Sequence, residues 1–309
     1  MPATIPLIVA DGPVLVFGGP YSNLQATEAV LAEGKRRGIP TDRIICTGDL
    51  AAYCGEPDAT ITLVRDSGIH VVMGNCDEQL GAGGSDCGCG FDPESACAKA
   101  SSAWYAYADR HVAAAHRPWL ASLPRRIDLA IAGVRLALIH GGAEVINKFI
   151  FATTPADEKR AEIDLLRADG VIAGHSGLPF SEIIDGRLWH NAGVVGMPAN
   201  DGTPRGWYSV LTPKGDALEI AHCALHYSVA AAQRAFVGAS LPQEYARALA
   251  TGLWPNCEIL PAAEARLSGT PLKPGTAPWK PHANGDNRML WPELLRPQLA
   301  ALAQSSVTR

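Results

Sequence analysis

The sequence predicts an α/β protein. Three observations carry the prediction: short apolar runs that stop at glycine plus a polar residue, helical stretches between them, and closely spaced strand-like segments from Ile127 to Leu225. Val14 to Phe17 ends at Gly18-Gly19, Arg43 to Thr47 at Gly48-Asp49, and His70 to Met73 at Gly74-Asn75. Arg135 to Ile139 runs into His140-Gly141, and Gly170 to Ala173 into Gly174-His175. Between the first two runs, Asn23 to Arg37 has helical apolar spacing at Leu24, Ala29, Val30 and Leu31, and Asn23 suits the N-cap.

The later strands are read at 127–131, 134–139, 182–184, 187–190, 207–211 and 217–221, with Asp185-Gly186 as a hairpin turn. Beyond residue 226 the chain becomes Ala-rich, and Ser228 to Val237 and Pro242 to Ala250 are predicted helices. Gly269 to Pro281 is Pro-rich and reads as a loose wrap or linker; Trp291 to Gln304 reads as one helix. No internal repeat is found.

With 309 residues, 47% hydrophobic and 18% charged, the chain can bury a core, which excludes disordered, collagenous and coiled-coil classes. Its 26 Lys and Arg against 31 Asp and Glu give a charge of -5, the wrong sign for a main partner that is nucleic acid or an anionic membrane. The first residues lack a basic signal-peptide start, and no run of about 18 apolar residues occurs, so the expected compartment is the cytoplasm. Eight scattered cysteines fit thiols better than a disulfide framework. Oligomeric state is left open.

In open α/β sheets, residues just past the carboxyl ends of strands converge on a crevice. Here those ends offer Tyr21, Asp49, Asn75, His140 and His175. A carboxylate, an amide oxygen and two imidazoles suit Mn, Fe or Zn better than Mg or Ca. Singly each residue is an ordinary turn or structural histidine; order and spacing make the case. Gly48-Asp49, Gly74-Asn75-Cys76-Asp77, His140-Gly141 and Gly174-His175 resemble the signature blocks of the calcineurin-like metallophosphoesterases, in the small bacterial and archaeal phosphodiesterase-type branch. Asn23-Leu24-Gln25-Ala26, the Tyr53 and Pro57 loop, Trp104, Trp119-Leu120, Leu123-Pro124 and the block 191–198 extend the resemblance over residues 13–225.

The resemblance implies a four-layer α-β-β-α sandwich of two mixed sheets over 1–226; residues 227–309, without a counterpart in it, read as a helical and Pro-rich C-terminal extension packed on it. It also implies two metal ions about 3.5–4 Å apart clamping a phosphate. Carried over by position, Asp49 bridges both ions, and Asn75, His140 and His175 complete the second site. The first site departs from the pattern: the family's Asp-x-His falls on Gly19-Pro20-Tyr21, and the second His of Gly-His-x-His falls on Gly177. Asn75, Cys76, Asp77 and Tyr21 are the candidates to act on the substrate.

The implied function is a metal-dependent phosphoric ester hydrolase, a phosphomonoesterase or phosphodiesterase of atypical site, with one or two ions and a small phosphorylated substrate. Two alternatives stand beside it: a silent homologue that binds a phosphorylated ligand or partner, and a cysteine-based metal or redox protein. The last rests on Cys54, Cys87, Cys89 and Cys97, of which Cys87 and Cys89 lie in the Gly-rich insertion 81–90. The readings are a soft-metal or iron–sulfur site, a redox pair and a mobile loop of free thiols, and the spacing matches no Zn or iron–sulfur template. Cys223 and Cys257 read as buried apolar residues. Trp104, Tyr105, Tyr107, His111, His116 and Trp119 share one predicted helix, and core packing explains them better than base stacking.

Overall fold

The computed structural model describes residues 4–281 and 287–295 of the chain. Thirteen described strands form two mixed sheets. The seven-stranded sheet holds β1 (Leu7–Ala10), β5 (Arg126–Ile131), β6 (Val134–Ile139), β7 (Gly170–Ala173), β9 (Arg187–Asn191), β8 (Phe180–Ile184) and β13 (Arg288–Trp291) in that spatial order. The six-stranded sheet runs β12 (Gly275–Trp279), β11 (Ala217–Leu225), β10 (Gly206–Lys214), β2 (Val14–Phe17), β3 (Ile44–Cys46) and β4 (His70–Val71).

Side-chain alternation in β2 explains the layering. Val14 and Val16 enter a core shared with Leu129, Leu136, Leu138 and Ile172, which lies between the sheets. Leu15 and Phe17 face the other way, into a second core built on helices. Those helices are α1 (Leu24–Arg36), α2 (Pro57–Ser67), α3 (Asn75–Ala82), α4 (Ala96–His111), α5 (Arg117–Ser122), α7 (Val229–Arg234) and α8 (Gln243–Thr251), represented there by Val30, Ile61, Leu80, Trp104, Leu120, Ala232 and Leu249. α6 (Ala156–Leu166) covers the seven-stranded sheet through Ile163 and Leu166. The short α9 (Ala262–Ala265) completes the described helices. The result is the expected α-β-β-α sandwich. No described helix is long and apolar enough to cross a membrane.

Local chemistry sets the element ends. Asn23 caps α1 by accepting from Ala26 N at 3.1 Å, and Lys35 and Arg36 sit at its negative end. Pro57 opens α2 and left-handed Gly68 closes it. Asp185 and Gly186, at φ 51° and 77°, form the hairpin turn between β8 and β9.

Several expectations need correction. The segment read as a loose wrap contains β12, which pairs antiparallel with β11. Trp291 ends β13 rather than opening a helix; a single 3-10 turn follows at Glu293–Leu295, and 296–309 lie outside the described residues. The extension therefore adds one edge strand to each sheet. The stretch from Trp104 to Trp119 is not one helix: α4 ends at His111, and α5 starts afresh with Pro118 in its first turn. Of its aromatics, Trp104, Tyr105, Tyr107 and His116 are buried as expected, whereas Trp119 is half-buried and His111 exposed. Cys223 and Cys257 are only partly buried.

A polar bridge crosses the apolar interior. Ser181 Oγ shares hydrogen bonds with His190 Nδ1 (2.8 Å) and His222 Nε2 (2.7 Å), joining the two sheets, and Trp291 stacks on His222 at 4.1 Å.

Candidate metal centre

Asp49 and Asn75 follow β3 and β4 of one sheet; His140 and His175 follow β6 and β7 of the other. The four meet where the carboxyl ends of both sheets come together. His140 Nε2 is the hub: Asn75 Oδ1 and His175 Nδ1 lie 3.1 Å from it and Asp49 Oδ2 3.2 Å. All four residues are buried. Among the described residues, Asp49, His140 and His175 are the group of His, Cys, Asp and Glu side chains whose ligand atoms come together closely enough to share an ion, all within 4.8 Å.

The backbone is strained where it carries this cluster. Tyr21, Ser22, Asp49, Tyr53 and His175 all have φ between 48° and 60°, a region costly for non-glycine residues. Other groups hold the turns. Asp77, opening α3, accepts from Asp49 N (2.8 Å), Leu50 N (2.9 Å) and Gly74 N (2.9 Å). Asn191 donates to Gly174 O and Ser176 Oγ, both at 2.9 Å, and so pins the turn of His175.

Proton positions follow from the neighbours. Thr47 O lies 2.6 Å from His140 Nδ1, so that nitrogen carries hydrogen and Nε2 faces the cluster. Asn75 Nδ2 donates to Cys87 O at 2.8 Å, which turns its oxygen inward. Burial works against ionising Asp49, but the attraction of His140 and His175 takes its pKa down to about 2. Burial works against a charge on His140 too, yet Asp49 raises its pKa. Burial and then the charge of His140 bring His175 down to about 3. Two acceptor oxygens and a ring nitrogen of His175 thus crowd one imidazole edge that offers at most one proton. A cation satisfies all four lone pairs at once, and a carboxylate, an amide oxygen and two imidazole nitrogens are a donor set for a borderline transition metal.

The other half of the expected site lacks its ligands, and on the Gly19 side its space is filled. Gly19 lies at φ 39° with the Tyr21 ring against it; a Cβ there would come within 2.5 Å of that ring, leaving no room for a carboxylate. At Gly177 the backbone is left-handed, φ 73°, which strains any side chain there, and a Cβ would meet the Trp254 indole in ordinary contact at 3.4 Å. Trp254 is itself held, its Nε1 donating to Pro198 O at 2.7 Å. Restoring a single family residue is therefore not expected to restore a second ion. Gly177→His should leave the metal content at that of the wild type, measured by elemental analysis; a gain of one ion per chain would contradict the filled-site reading.

Of the candidate acid–base and thiol residues, Tyr21, Cys89 and Cys97 line the cavity in front of the cluster, while Asp77 and Cys76 lie behind it. Asp77 was expected to act on the substrate, but its carboxylate faces three backbone amides behind the cluster. Asp77→Ala would strip all three buried donors of their acceptor, at about 3 kcal/mol or more of stability. Urea unfolding measures this, and a loss below about 1 kcal/mol would contradict the role. Cys76 also lies behind, buried, with its N–H donating to Asp49 Oδ1 at 3.0 Å. Tyr21 is buried beside Asp49, and burial holds its hydroxyl well above the usual pKa.

The four cysteines of the redox or second-metal reading are divided. Cys87 and Cys89 form a disulfide. Cys54 donates toward Gly196 O, and Cys97 to Asn256 Oδ1. The insertion acts on the site through the Cys87 carbonyl that orients Asn75.

In front of Asp49 and His175 lies a cavity of about 80 Å³ whose wall is largely aromatic, with Tyr53, Phe149, Tyr245 and Trp254 among its residues. Tyr245 and Trp254 come from the C-terminal extension, which therefore roofs the site. Sequence reasoning missed Thr47 and Trp254. Thr47 acts through a backbone carbonyl, which leaves no side-chain signature, and Trp254 is brought in by a distant segment.

Comparison with known proteins agrees with this architecture. A family model described as the calcineurin-like phosphoesterase superfamily domain matches residues 15–215. An uncharacterized protein from Methanocaldococcus jannaschii is 27% identical over 247 residues, covering 74% of this chain and 94% of its own. A metallophosphoesterase structure from Sphaerobacter thermophilus superposes with a TM-score of 0.61 at 24% identity, over 78% of this chain and 99% of that one. A hypothetical protein from Pyrococcus horikoshii OT3 gives 0.64 at 17% identity, over 80% and 99%. These two structures are similar in fold.

Proposed function

Because the chain belongs to the calcineurin-like phosphoesterase superfamily, we propose that it hydrolyses phosphoric esters with one transition-metal ion, of Mn, Fe or Zn, held by Asp49, Asn75, His140 and His175. The observation that carries this reading is the hub geometry: one imidazole nitrogen, its tautomer set by Thr47 O, with three ligand atoms within 3.2 Å. When bound, the ion supplies Lewis acidity that polarises a phosphoryl oxygen and acidifies water. The protein's own residues do the rest. Asp77 presents Asp49, Cys87 O presents the Asn75 oxygen, and Asn191 presents His175. The mostly apolar lining in front of the centre strengthens electrostatic effects there.

The filled half-site favours a second reading, in which the same centre binds a phosphorylated ligand without turning it over. Hydrolysis of bis(4-nitrophenyl) phosphate and 4-nitrophenyl phosphate with added Mn, Fe or Zn separates the two. Metal-dependent turnover that His175→Ala removes supports the hydrolase. No turnover with any of the metals contradicts it and leaves the ligand-binding reading.

A further inference from the structure

The Cys87–Cys89 disulfide lies beside the Asn75 side chain. The amide nitrogen of Asn75 donates to Cys87 O at 2.8 Å and sits 3.4 Å from Cys89 Sγ. A carbonyl oxygen and a disulfide sulfur accept hydrogen bonds and donate none, so together they take the amide nitrogen and leave its oxygen to His140 and the centre. Gly88, between the two cysteines, has φ 65°, and its carbonyl accepts from Asn147 Nδ2 at 2.9 Å. Both half-cystines are buried, and Cys89 also lines the cavity in front of the cluster.

This bond is poorly placed to staple the fold. A disulfide constrains the unfolded chain more the longer the loop it closes, and here a single residue separates the partners. Six other cysteines are unpaired, which is not the pattern of a disulfide framework. Its effect is local. Breaking it turns a sulfur that only accepts into a thiol that also donates, and parts two buried sulfur atoms from bonding distance to non-bonded contact beside the amide. Either change loosens the hold on the Asn75 oxygen. Cys76, whose Sγ lies 3.6 Å from the same nitrogen, is a free thiol outside this exchange.

We propose that Cys87 and Cys89 form a reversible thiol–disulfide site that sets the affinity of the metal centre through Asn75, tighter when the bond is closed and weaker when it is open. This rests on the proposed metal centre and adds its regulation. The reductant is a dithiol: one of its thiolates attacks a cystine sulfur, the Cys87–Cys89 bond breaks, and its second thiolate then closes the reductant's own disulfide. Two electrons and two protons pass from the dithiol to the two cysteine thiols. A small disulfide such as glutathione disulfide reverses the exchange and leaves as two glutathione thiols.

To test this, the full chain is oxidised with glutathione disulfide, half of it is reduced with dithiothreitol, and both reagents are removed by anaerobic gel filtration. Peptide mass spectrometry after alkylation in denaturant reads the state of Cys87 and Cys89, and competition with a metallochromic chelator gives the Mn affinity of each form. The expected result is a closed bond in the first form, two alkylated cysteines in the second, and Mn bound at least about tenfold more weakly in the second, as when other groups that orient metal ligands are lost. The double variant Cys87→Ser, Cys89→Ser should bind like the reduced form whatever the treatment, and the wild-type comparison stands should that variant fold poorly. Affinities within about threefold in two forms of confirmed state, a bond that glutathione disulfide never closes, or a redox effect that persists in the double variant would overturn the proposal. No Mn in either form would overturn the metal centre together with its regulation. Redox-dependent affinity without turnover of any ester would count against the hydrolase alone and support this switch.

Discussion

Replacing His140 with alanine is expected to empty the centre and stop metal-dependent turnover, while the sandwich still folds. The reason is geometric. His140 Nε2 is the one atom within 3.2 Å of all three other ligand groups, so its loss removes a ligand and also leaves Asp49 buried without its nearest counter-charge. Removing groups that merely orient ligands costs other metal sites about 10–100-fold in affinity. Loss of the hub should therefore cost more than about 100-fold. Competition between the protein and a metallochromic chelator measures this, with circular dichroism as the check on folding. Affinity within about threefold of wild type would contradict the role assigned to His140.

A second large effect is expected in acid. His190 and His222 sit in the inter-sheet bridge, where burial holds His190 down to about 3 and His222 well below its ordinary value. In the unfolded chain both take up protons near pH 6.5. Below that pH the unfolded chain binds more protons than the folded one, so stability is complete above about pH 6.5 and falls as pH drops toward the folded values. At about 1.4 kcal/mol per pH unit, His190 alone removes about 2 kcal/mol between pH 6.5 and pH 4.5, and His222 adds to the loss in the same direction. The double variant His190→Gln, His222→Gln lacks this loss. Urea unfolding at pH 7.0 and pH 4.5 should show a smaller pH-dependent drop in the variant, whatever its stability at pH 7.0. An identical drop in both proteins would contradict the assignment.

Much of the centre was legible in the sequence because each ligand follows an apolar run, and strand ends in such folds share an edge. The order of those ends also made the fold legible. The departures at Gly19, Tyr21 and Gly177 could be read as losses, but what fills their place could not. Trp254 comes from a part of the chain outside the recognisable pattern, and its position depends on bonds to Pro198 and Asn200. β1 and β13 escaped notice as four-residue edge strands, and β12 because Pro278 lies within it, a residue tolerated at an edge position. The break between α4 and α5 was signalled by Pro118 but overridden by the run of alanines and aromatics around it. The position of Asp77 in a site motif says nothing of which way its carboxylate points, and it points at backbone amides behind the cluster.

The number of metal ions per chain tests the central claim most directly. Protein reconstituted with excess Mn and passed through gel filtration should carry one ion per chain by elemental analysis, and the same preparation of His140→Ala should carry none. Two ions per wild-type chain, or one that survives loss of His140, would contradict a centre of one ion built on that histidine.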